Sequence, residues 1–149
     1  MTGWVDIGRA MPWLGPEPYW VSRDDAAPLR AELRGLGFKV FETGGEAVTN
    51  EMEFLAELVR TFDLPPYACL NWNAFVDALG DLVRSTVEPI ALIWMDPAPS
   101  FIPDLSRGLR LYSALASILS EWNRLGKDCH QVILVLEGER SFLQAAETG

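Results

Sequence analysis

The side chains with the most chemistry in them lie close together between positions 67 and 81. Asn73, Asp77 and Asp81 recur every four residues, a spacing that stacks them on one face of a helix. Tyr67, Cys69 and Asn71 stand in the proline-broken stretch just before them. Carboxylates on a rigid helix make charge-assisted hydrogen bonds with cationic groups, so this face reads as a binding surface. A polar outer face is also what any half-buried helix presents, and spacing alone leaves both readings open. Cys69 lies just ahead of a helix amino terminus, where a thiolate is stabilised and becomes nucleophilic. Nothing else completes such a site. There is no glycine-rich phosphate loop, no G-x-S-x-G turn and no Cys-x-x-Cys pair, and His130 has no acid or nucleophile at a recognisable spacing. One histidine and two distant cysteines, Cys69 and Cys129, give no metal-ligand spacing. These residues argue for no enzyme, no cofactor and no metal.

The surrounding elements must hold this surface still. Pro65 and Pro66 stop the preceding helix, because proline lacks the backbone donor and restricts the residue before it. Asn71 falls where an N-cap belongs. Trp72, Phe75, Leu79 and Leu82 then recur at three-and-four spacing and form the buried face of a short amphipathic helix, leaving Asn73, Asp77 and Asp81 to solvent.

The rest of the chain alternates strands and helices. Residues 1–18 read as an arm, since Pro12, Pro16 and Pro18 with Gly8 and Gly15 oppose regular structure. Residues 19–21 form a short strand, and Asp24 or Asp25 caps a helix that runs through Leu29, Leu33 and Leu36. Residues 38–41 form a second strand, and Thr49 or Asn50 opens a helix with Phe54, Leu55, Leu58, Val59 and Phe62 inward. After a loop at 84–86, residues 89–95 are apolar on both faces, as in the central strand of a covered parallel sheet. An irregular connection over 96–103 leads to a long helix capped by Asp104, with Leu105, Leu109, Tyr112, Leu115, Ala116, Leu119 and Trp122 inward. Residues 131–136 are the last strand. The pattern predicts an α/β fold with a small, mainly parallel sheet.

The chain has 149 residues, 49% of them hydrophobic, which suits a single globular domain that needs neither disulfides nor metal. Its formal net charge of -9 repels phosphate backbones and anionic membranes, so nucleic acid and membrane are disfavoured as partners and a basic protein is favoured. The amino terminus has no basic segment followed by an apolar run, and no apolar stretch is long enough to span a bilayer. A cytoplasmic protein with free cysteines is the expectation.

With these residues in place, the chain resembles the barstar family, small intracellular inhibitors of barnase-like ribonucleases. The resemblance begins at Gly44-Gly45 and is densest in Leu64-Pro65, Tyr67, Asn71-Trp72, Ala74-Phe75, Asp77 and Leu79. It continues through the apolar strand ending at Trp94 and the last long helix. It implies a barstar-like core over 39–136, an extra strand-helix unit over 19–38 after the arm, and a tail over 137–149, all in one domain.

The resemblance also implies a function. In the family, the helix and the loop before it plug the ribonuclease active site, with carboxylates where substrate phosphate would sit. Asp77 matches the most buried contact acid, Tyr67 a loop tyrosine that packs on the partner, Asn71 a loop asparagine, and Glu121 an outlying acid on the last helix. Three positions depart from the family. Asn73 replaces a second aspartate, Cys69 a glycine of the loop, and Val76 a partner-facing tryptophan. Asp81 adds negative field without a contact role that carries over. The implied role is an immunity protein that binds a basic ribonuclease toxin one to one. The alternative is a barstar-fold module that binds a basic protein other than a nuclease.

Overall fold

The computed structural model describes residues 5–15, 17–44, 48, 50–125 and 131–138, with side chains in the last helix described as far as Glu121. Four strands form one sheet, β1 (Tyr19–Val21), β2 (Lys39–Gly44), β3 (Ile90–Met95) and β4 (Val132–Glu137), in the order β1-β4-β3-β2. Every neighbouring pair is parallel. The helices are α1 (Ile7–Ala10), α2 (Arg23–Gly35), α3 (Glu51–Phe62), α4 (Trp72–Ser85), α5 (Ala98–Phe101) and α6 (Leu105–Leu125), with 3-10 turns at Pro12–Leu14 and Pro66–Cys69.

Strand order explains the layers. The step from β1 to β2 crosses the whole sheet in one direction, and the steps from β2 to β3 to β4 return in the other. Parallel crossovers keep one hand, so reversing direction sends the connecting helices to opposite faces. One face packs α3, α4, α5 and α6 against Ile90, Leu92, Trp94, Val132 and Leu136. The other packs α1, the first 3-10 turn and α2 against Ala91, Ile93, Ile133 and Val135. The central strands β3 and β4 are thus buried on both sides, which is why their sequences are apolar without alternation. Where β2 ends, Gly44 has φ +108 and a Cβ there would meet the Met95 carbonyl oxygen at 2.2 Å, so only glycine fits.

Several local expectations need correction. The arm contains structure: the Asp6 side chain caps α1 by accepting from the Arg9 N–H, Pro12 opens a 3-10 turn where its missing donor costs nothing, and Ile7, Met11 and Leu14 are buried. Ser22, not Asp24 or Asp25, caps α2, and Leu36 beyond its end is exposed. The α4 helix is not short and takes in Arg84 and Ser85, and the 96–103 connection contains α5. On α6, Leu109 is 43% exposed and Leu111 is buried in its place, while Gly108 leaves room for the Phe101 ring, which a Cβ there would meet at 2.8 Å. The Trp122 side chain, Thr49, Gly45, Cys129, His130 and the tail beyond Gly138 lie outside what is described.

Candidate functional site

The surface over 67–81 is built outward from an aromatic chain in the core. Trp94 on β3 stacks at 5.0 Å on Phe54 of α3, which meets the edge of Trp72 at 6.1 Å, and Trp72 meets Phe75 edge-on at 5.9 Å. The Trp72 indole N–H donates to the Glu51 carboxylate at the start of α3. Phe75, Ala78, Leu79 and Val83 complete the buried side of α4. Such aromatic contacts have preferred angles as well as area, so the helix is held in orientation as well as depth.

The approach to α4 is equally fixed. Asp63, in the left-handed conformation at φ 54, ends α3, and the Leu64 N–H returns to the Val59 carbonyl at 2.9 Å. The prolines that follow open a 3-10 turn whose Ala68 is fully buried and whose Ala68 N–H donates to the Pro65 carbonyl at 3.0 Å. Asn71 caps α4, its Oδ1 accepting from the Ala74 N–H at 2.8 Å. Asn71 is itself exposed, and among the described residues no hydrogen bond engages its amide NH2. Cys69 has no positive φ, so the turn makes no demand for glycine there. Its thiol donates to the Pro66 carbonyl at 3.1 Å, a local contact that closes the same turn.

Seven of the eight residues singled out from the sequence share this one turn and helix. Tyr67, Asn71, Asn73, Asp77 and Asp81 are exposed, and Cys69 and Val76 are half-buried. Among the described residues no hydrogen bond or ion pair engages the Asp77 carboxylate. Asp81 differs, since it pairs with Arg84 one turn on at 3.0 Å, and that cation cancels part of the field it would add. Glu121 is exposed on α6, beside a shallow groove lined by Tyr112, Ser113, Ala116, Ser117 and Ser120. Glu121 lies on α6, a different element from the turn and helix that carry the other seven. Sequence reasoning passed over Leu70. It is 73% exposed, and it follows the turn where neither helical nor strand periodicity assigns it a face.

No group of three or more His, Cys, Asp or Glu side chains among the described residues could hold a metal ion. None of the described helices is long and apolar enough to cross a membrane. Neither a curated protein nor a solved structure matches the chain. Residues 38–137, which include the whole surface just described, match the family model of barstar, the barnase inhibitor. By that match the chain belongs to the barstar family.

Proposed function

We propose that this protein is an inhibitor of a basic ribonuclease, binding one to one and filling the active site with the surface that runs from Tyr67 to Asp81. A toxin in the same cytoplasm is the partner such an immunity protein would guard against. A ribonuclease cleft must be cationic to hold phosphate, and a carboxylate on a rigid helix competes for the same cations. The observation that carries the reading is Asp77, an exposed carboxylate without an internal partner among the described residues, on a helix locked by aromatic packing within the family-matched segment. Steered, charge-complementary association is best known from the barnase–barstar pair itself, and that magnitude belongs to those proteins.

Purified protein titrated into ribonuclease assays, with barnase among the enzymes, tests this. Stoichiometric inhibition is expected, with association slowed by added salt. Asp77→Ala should weaken binding by about 2 kcal/mol or more, roughly 30-fold in Kd, while leaving stability within about 0.5 kcal/mol. Unchanged inhibition by Asp77→Ala would remove the phosphate-mimic role. The second reading, a module for a basic protein that is no nuclease, draws on Asn73 and Val76, which supply neither charge nor a large anchor. It predicts salt-sensitive binding without protection of RNA.

A further inference from the structure

Two of the exposed large apolar side chains of the molecule fall on the same turn as the acidic surface. Tyr67 is 46% exposed and Leu70 is 73% exposed. They are three residues apart, the Leu70 N–H donates to the Tyr67 carbonyl at 3.2 Å, and Leu70 continues the turn with φ -69 and ψ -40. In 3-10 geometry side chains at i and i+3 eclipse, so the two stand together on one side. Single exposed apolar residues are commonplace, but a rigid pair beside a charged binding surface is a different object. Buried Ala68, the Pro65 carbonyl and the Asn71 cap fix this pair before any partner arrives, so little order is lost on binding.

We infer that Leu70, paired with Tyr67, is the specificity-determining anchor of this surface, seating in an apolar recess at the rim of the ribonuclease's basic cleft. The inference rests on the inhibitor reading and names the partner more closely: an enzyme whose cationic groove is bordered by apolar surface. Asp77 supplies long-range attraction and Asn73 adds no charge to it, so discrimination among ribonucleases, which all carry basic clefts, falls to the contact that charge does not provide.

Binding kinetics separate the two roles. A panel of small basic ribonucleases that includes barnase is screened, and the tightest binder serves as the probe for the wild type, Leu70→Ser and Asp77→Ala. Leu70→Ser should raise the dissociation rate about 10- to 100-fold, leave the association rate and its salt dependence unchanged, and narrow the spread of affinities across the panel. Asp77→Ala should lower the association rate and reduce its salt dependence as well as raise the dissociation rate, since it removes both steering charge and a contact inside the cleft. Because Leu70 is exposed, the serine variant should melt within about 2 °C of the wild type, so a loss of binding is not a loss of fold. Wild-type kinetics for Leu70→Ser beside a damaged Asp77→Ala would overturn the anchor and spare the inhibitor reading. Failure of the wild type to bind any member of the panel would overturn both.

Discussion

The two layers on either side of the sheet do different work. The layer of α3, α4 and α6 is rich in aromatic contacts and carries the acidic surface, with Phe41, Phe54, Phe62, Trp72, Phe75, Trp94 and Phe101 linked ring to ring. The layer of α1 and α2 is mainly aliphatic, centred on Ile7, Met11, Leu29 and Leu33, with Tyr19 and Phe38 packed beside them. It also comes almost entirely from residues that precede the barstar match at 38–137. Without it, Ala91, Ile93, Ile133 and Val135 would face water from the two central strands. The difference teaches that the unit added before the family core is a lid on the second face of the sheet, while orientation-sensitive packing is kept for the face that positions Asp77.

The sharpest way to break this contrast is to damage the lid alone. Leu33 is fully buried between α2 and the sheet, and Leu33→Ala should cost about 2–5 kcal/mol in a urea unfolding experiment, from lost transfer energy and the cavity left behind. Affinity for a ribonuclease, measured where the variant is still folded, should not move. A weakened affinity in the folded variant would mean that the α1–α2 layer influences the interface and that the division of labour is false.

How far these layers were readable in the sequence follows from the range of the forces involved. The strands β3 and β4 were legible because burial on two faces leaves no polar position between Ile90 and Met95 or between Val132 and Leu136. The Asn71 cap and the Asp77 face were legible because both are set within one or two helical turns. The exposure of Leu109 on α6 was not. Leu105, Leu109, Tyr112, Leu115 and Ala116 make a stripe wide enough for several orientations, and spacing alone does not choose among them. The buried spacing of Ile7, Met11 and Leu14 was hidden by neighbouring prolines, whose tolerance at the first position of a turn matters more there than their reputation as breakers. Leu70 escaped notice because it belongs to no periodic element, and the place of Glu121 relative to α4 depends on tertiary packing that no local pattern encodes.

A smaller effect sharpens the contrast from the other layer. Asn71→Ala removes the side-chain acceptor from the first turn of α4, and a loss of about 1 kcal/mol is expected on unfolding. If the rigidity of this turn matters for binding, the loss in affinity should exceed what removal of the exposed amide alone explains. Asn71→Ser keeps a neutral cap and should restore stability, so the pair of variants separates support of the helix from contact with the partner. Equal affinities for the alanine and serine variants would show that the cap serves the fold and nothing more.

The smallest effect lies at the seam where the layers meet, and it is silent at neutral pH. Glu17, Tyr19 and Tyr112 line one cavity between the β1 edge and α6. Burial, and then the Glu17 carboxylate, raise the pKa of both phenols above the usual value of 10.0. A raised acid is held neutral in the folded state, so the stability it contributes is whole below the unfolded pKa and is lost as pH climbs through the higher folded one. Melting temperature should therefore hold level up to about pH 10 and fall beyond it. Tyr112→Phe removes one of the two phenols and should make that alkaline decline shallower, while Glu17→Gln should shift it by lowering both pKa values. A Tyr112→Phe profile that overlays the wild type would place the alkaline weakness elsewhere, in Tyr19 or away from the seam, and would leave the two layers joined by packing alone.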